Sequence, residues 1–96
     1  MNVEVSPAIK KFKITQESYA TIIKIKIVEK AIKDVYIHSY DNHIELMRRS
    51  SDERIMKYWT NCEARMSWAR YEKGCLYITI PIKRSSTNIH IMNVSK

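Results

Sequence analysis

A chain of 96 residues is one domain's worth and leaves no room for a second hydrophobic core. Hydrophobic side chains make up 45% of it and charged ones 28%, too apolar a balance for a disordered segment, so a packed core is expected. The 17 basic against 10 acidic side chains leave a net charge of +7, which either favours acidic partners or only solvates the surface. The longest uncharged apolar stretch, Gly74 to Ile82, falls far short of the roughly 20 residues that cross a bilayer. Met1-Asn2-Val3-Glu4 carries no signal-peptide pattern. A cytoplasmic protein without a membrane partner is therefore expected. Cys62 and Cys75 form no CxxC pair, which predicts two reduced, partly buried thiols rather than a disulfide framework or a zinc site.

Taken in chain order, the pattern is period two almost throughout. Ala8 to Ile14 predicts a short strand with Phe12 and Ile14 facing in. Ile23, Ile25 and Ile27 alternate with Lys24 and Lys26, which makes one face of that segment apolar and the other cationic, as in a half-buried strand. Val35 to Tyr40 follows the same logic, with Val35 and Ile37 on one face. Asp41-Asn42 supplies turn chemistry, since both side chains bond their own main chain and tolerate a left-handed backbone. Ile44 to Arg49 then pairs back as a hairpin. Ser50 to Glu53 is turn-like, and Ile55 to Thr60, rich in β-branched and aromatic residues, is a further strand. Cys62 to Met66 is compatible with a short helical turn before an extended segment from Trp68 to Tyr71, and Trp59 and Trp68 are core or contact residues, with core the favoured reading.

Lys73-Gly74 is a turn, because glycine takes a positive φ without strain and Gly74 is the one glycine of the chain. Leu76, Ile78 and Ile80 alternate with Tyr77 and Thr79 in the clearest strand of the sequence, which stops at Pro81 because proline has no N–H for the ladder. Arg84 to Asn88 reads as an exposed linker, followed by Ile89-His90-Ile91 as a brief last strand or a sticky tail. Seven or eight short strands at intervals of about ten residues predict an all-β, immunoglobulin-like antiparallel sandwich.

No constellation of catalytic residues stands out. His38, His43 and His90 form neither an HxH nor an HxxxH pair, no serine or cysteine sits in a nucleophile elbow, and a single glycine cannot build a phosphate loop. Cys75, beside an apolar strand, reads as a packing residue. Neither an enzyme nor a bound metal or cofactor is expected. Nucleic-acid binding is the competing reading from a different class. Lys10, Lys11, Lys13, Lys24, Lys26, Arg48 and Arg49 are candidates to gather on one sheet, with Tyr36, Tyr40 or Tyr58 to stack on bases. It is the less favoured reading, because the basic residues are spread along the chain without the motif of a known module.

Ala69-Arg70-Tyr71-Glu72-Lys73-Gly74-Cys75-Leu76 resembles the A-x-x-x-n-G-x-L signature of the α-crystallin domain, and it runs on into Tyr77-Ile78-Thr79-Ile80-Pro81, where that family also alternates and ends on a proline. Upstream, Tyr19 to Ile27, Ile32 to Ile37 and Asp41 to Leu46 resemble successive strands of the same small heat-shock protein (Hsp20) family. The resemblance implies a short N-terminal arm over residues 1–7, a sandwich over 8–83 and a tail over 84–96. Ala69, Gly74, Leu76 and Pro81 are its signature positions.

The resemblance also implies what such a chain does. Ile89 and Ile91 are similar to the family's I-x-I tail, which docks two isoleucines into an apolar groove on a neighbouring subunit. That groove corresponds to the space between Val35–Tyr40 and Cys75–Ile80, so Val35, Ile37, Leu76 and Ile78 are candidates for groove or core. The tail's other reading is a last strand completing the chain's own sheet. The implied function is stress-response holdase action without ATP, on exposed hydrophobic segments of unfolding clients. The short N-terminal arm argues against a large cage, and the few residues between Arg49 and Ile55 argue against dimers that exchange a loop. In these omissions the chain resembles the smaller p23-like or CS domains, which implies an adaptor for a chaperone or ATPase complex as the alternative.

Overall fold

Alternating side chains give one apolar face per strand, and two such sheets bury those faces against each other. The computed structural model describes residues 2–82. The linker and tail positions Arg84 to Ile91, including Ile89 and Ile91, lie outside the described residues. The strands are β1 (Val3–Val5), β2 (Phe12–Gln16), β3 (Ala20–Lys26), β4 (Val35–Ser39), β5 (His43–Arg48), β6 (Glu53–Trp59), β7 (Trp68–Glu72) and β8 (Cys75–Pro81). They form two sheets of four, ordered β1-β6-β5-β4 and β2-β3-β8-β7, with every pairing antiparallel. This is the all-β sandwich that the alternation predicts.

Register places the core. Ile23 lies opposite Ile78 and Ile25 opposite Leu76 in one sheet; Ile44 lies opposite Tyr58 and Leu46 opposite Met56 in the other. Ile23, Ile25, Ile78 and Ile80 are wholly buried at 0% exposure. Each such side chain contributes about 1.5–3 kcal/mol of transfer free energy, which is what holds the two layers together. Thr21 is the buried polar residue, and its hydroxyl donates to Gln16 Oε1 at 2.7 Å, so the inner layer carries no orphaned hydroxyl there.

Turns fall where residue chemistry places them. Lys73 and Gly74 both take positive φ, 52° and 81°, between Glu72 and the paired Cys75, the geometry of a tight two-residue hairpin whose twist matches the strands it joins. At the far side, Asp34 holds the turn after β5. Its carboxylate accepts from Ser50 N–H at 2.9 Å and from Ser50 Oγ–H at 2.7 Å.

Four features depart from the sequence expectations. The segment before β2 is not a strand from Ala8. After Pro7 the chain turns, with Ile9 N–H donating to the Ser6 carbonyl, and extends only from Phe12. Ile14 and Phe12 share rows with Ile23 and Ile25, yet Phe12 stays 39% exposed on its outermost strand. Val3 to Val5, in the expected N-terminal arm, pairs with β6 and covers that strand's free edge. A one-turn helix α1 (Glu29–Ile32) carries the chain from one sheet to the other. Finally, Trp68 is 56% exposed rather than in the core, because its row on β7 faces outward, and Trp59 is half-buried. The ambiguous stretch after Cys62 resolves as a single 3₁₀ turn, Ala64–Met66.

Candidate functional site

Among the described residues β4 ends one sheet and β7 ends the other, and the two strands line one seam of the sandwich. An apolar groove runs along it. Val35 and Ile37 of β4 form one wall with Ile32 from α1, Ala69 and Tyr71 of β7 form the other, and Leu46 and Leu76 close the floor. Tyr36 and Arg70 stand at its rim. Val35 and Ile37 are half-buried, while Leu76 and Leu46 are nearly enclosed at 6% and 1% exposure. Ala69 is exposed, so a small side chain keeps that wall low and the groove open. Among the described residues β4 pairs only with β5, leaving its other edge of backbone donors and acceptors for a further extended segment.

The candidate positions separate cleanly. Val35, Ile37 and Leu76 line the groove, whereas Ile78 lies wholly buried between Ile23 and Ala69 and belongs to the core. Gly74 makes the β7–β8 turn and Pro81 ends β8 opposite Ala20. The second wall, Ala69 and Tyr71, was missed as a wall because the resemblance pointed to the neighbouring strand β8. The signal was nevertheless present, since both positions lie inside the signature segment.

Tyr71 fixes that wall. Its hydroxyl donates to the Ile27 carbonyl at 2.5 Å, tying β7 to the end of β3. Burial, then the Glu29 carboxylate and the Cys75 thiol, push the phenol above its ordinary value of 10.0, so the proton stays on the oxygen that donates. A raised pKa in the folded state means stability fully present below about pH 10 and lost as pH rises through the folded value. Thermal unfolding followed across that alkaline range should therefore show a loss in the wild type that is smaller in Tyr71→Phe. The same variant should be somewhat less stable at neutral pH, where the bond to Ile27 is gone.

The remaining candidates lie elsewhere. His38, Tyr40 and His43 stack, with ring centroids 4.4 and 4.3 Å apart, on the outer face of the first sheet, and His43 Nε2 lies 3.3 Å from Glu45. Among the described residues no three His, Cys, Asp or Glu side chains converge as metal ligands. Cys62 and Cys75 are free and half-buried. Lys11, Lys13, Lys24 and Lys26 come together on the second sheet, but Arg48 and Arg49 lie by the first. Tyr36 and Tyr40 are likewise on the first sheet and Tyr58 is buried. Among the described residues no helix is long and apolar enough to cross a membrane.

Solved structures with this arrangement are available for comparison. A small heat-shock protein from Xylella fastidiosa, whose structure shows a distinct high-order assembly, is similar over 78% of this chain and 86% of its own, with a TM-score of 0.64 and 13% identity. The fold is that of an α-crystallin domain. Heat shock protein 16.0 from Schizosaccharomyces pombe is similar over 78% of this chain and 67% of its own, with a TM-score of 0.59 and 11% identity. No family model and no curated protein matches the sequence. At such low identity the likeness bears on the α-crystallin-like architecture, and function is argued from the groove.

Proposed function

We propose that this α-crystallin-like domain is an ATP-independent holdase that receives exposed hydrophobic segments of unfolding proteins in the seam between β4 and β7. The observation that carries the reading is the seam itself: an apolar floor of Leu46 and Leu76 beside β4, an edge strand whose outer backbone groups find no strand partner among the described residues. An extended apolar segment satisfies both at once, pairing its main chain with β4 while alternate side chains enter the groove. In this reading Ile89 and Ile91, two β-branched side chains on one side of an extended tail, cover the groove reversibly or link copies of the chain.

An adaptor role is the second reading. The connection from Arg48 to Glu53 is short and β1 already occupies the outer edge of β6, which favours a small unit presenting one face to one partner. The two readings separate on client range. Light scattering from a heat-aggregating client should fall in the presence of the protein. An Ile89→Ala/Ile91→Ala variant, checked by circular dichroism to be folded, should suppress more strongly at equal ratio because its groove is uncovered. Absence of suppression at several-fold molar excess would rule out the holdase and leave the stoichiometric adaptor.

A further inference from the structure

The two outer faces of the sandwich differ in how they handle charge. On the first sheet Glu4, Glu45, Arg54 and Lys57 are interleaved, and Arg54 bridges Glu4 at 3.2 Å and Glu45 at 3.5 Å. On the second sheet, register sets Lys13, Lys24, Tyr77 and Arg70 side by side across all four strands. One row away stand Lys26 and Cys75, beside Lys11, whose carbonyl accepts from Lys26 N–H at 3.1 Å. Among the described residues none of Lys11, Lys13, Lys24 and Lys26 makes an ion pair, and the acidic side chain in these rows, Glu72, pairs with Arg70. Like charges directly opposite on a sheet destabilise it, so Lys13 against Lys24 costs the fold some stability.

Aromatic rings lie among these cations. Lys24 Nζ is 5.7 Å and the Arg70 guanidinium 4.3 Å from the centroid of Tyr77, so the ring backs the guanidinium, whose own plane is a stacking surface. In the next row Trp68 is 56% exposed, flanked across the sheet by Thr79, Ile22 and Thr15. Three rows by four strands make a platform ~14 Å on a side, room for a few unstacked bases. We propose that the outer face of the β2-β3-β8-β7 sheet binds single-stranded nucleic acid, with phosphates on Lys11, Lys13, Lys24 and Lys26 and bases stacked on Trp68 and on the Arg70 guanidinium that Tyr77 supports. Cations beside stacking rings on a shallow surface are what single strands require. A duplex reader inserts a helix or a two-stranded ribbon into a groove, and this face is a four-stranded sheet. An acidic peptide uses the lysines and gives the rings no task, and an anionic bilayer, whose interface also takes up Trp and Tyr rings, is separated by the test below. This surface lies on the outside of the second sheet, and its test is independent of the holdase reading.

The full chain is titrated into a fluorescein-labelled 12-nucleotide oligothymidine at low salt, with intrinsic tryptophan emission read in parallel. Binding should saturate, and log K should fall against log salt with a slope of about −3 for four phosphate contacts. Lys13→Gln/Lys24→Gln should weaken binding about tenfold and roughly halve that slope. Tyr77→Ala should weaken it about tenfold. Trp68→Phe should abolish the quenching of emission on binding, Glu72→Gln should strengthen binding several-fold, and Lys57→Gln on the other sheet should leave it unchanged. Circular dichroism confirms that each variant is folded. The proposal is overturned by no binding at low salt, or by binding that the second-sheet variants leave intact. Equal affinity for a polyglutamate peptide or for anionic phosphatidylserine vesicles, whatever the tryptophan emission does, also overturns it and assigns the face to that class of partner.

Discussion

Ile78→Ala should lower the stability of the sandwich by about 2–5 kcal/mol, the range for truncating a large buried aliphatic side chain. Ile78 is wholly buried on β8, opposite Ile23 on one side and Ala69 on the other, so strands on both flanks hold the walls of the cavity apart. In a domain whose total stability is about 5–15 kcal/mol, that is a large share. The melting temperature should drop by about 8 °C or more. Urea unfolding is the direct measurement: the midpoint should fall with the slope unchanged, which reports lost packing rather than a change in the unfolded state. A loss below about 1 kcal/mol would contradict the core placement of Ile78.

Ile37→Ala, by contrast, should reduce client protection several-fold at modest structural cost. Ile37 is half-buried on the groove wall, so its truncation forfeits about half the transfer free energy of a full side chain, roughly 1 kcal/mol. The ratio of protein to client needed for half-suppression of light scattering should rise, measured well below the variant's melting temperature. Ala69→Leu approaches the same groove from the opposite, exposed wall. It fills space instead of emptying it and should reduce protection without loss of stability. If both variants protect clients as well as the wild type, the groove is not the binding surface. Ile78→Ala, assayed where it is still folded, should retain protection, which separates a weakened fold from a weakened site.

The alternation of Ile23, Ile25, Leu76, Ile78 and Ile80 fixes inward and outward faces wherever these strands are placed, because successive side chains of a strand point to opposite sides. Lys73-Gly74 and Pro81 are equally local, since backbone dihedrals and a missing N–H need no knowledge of the rest of the chain. These determined an antiparallel sandwich and most of its strand positions. Only tertiary structure decided which strands became edges and which edges met. The groove faces β7 rather than β8 because sheet order leaves β7 outermost. The valines of β1 count as part of a sheet only because β6 offered a free edge. Trp68 is outside because its row on β7 faces away from Ile78 and Leu76. The lysines of β2 and β3, scattered in the sequence, became one cationic surface through register alone. Side-chain periodicity is a property of neighbours in the chain, whereas seams, edges and charged faces arise from pairings between distant segments.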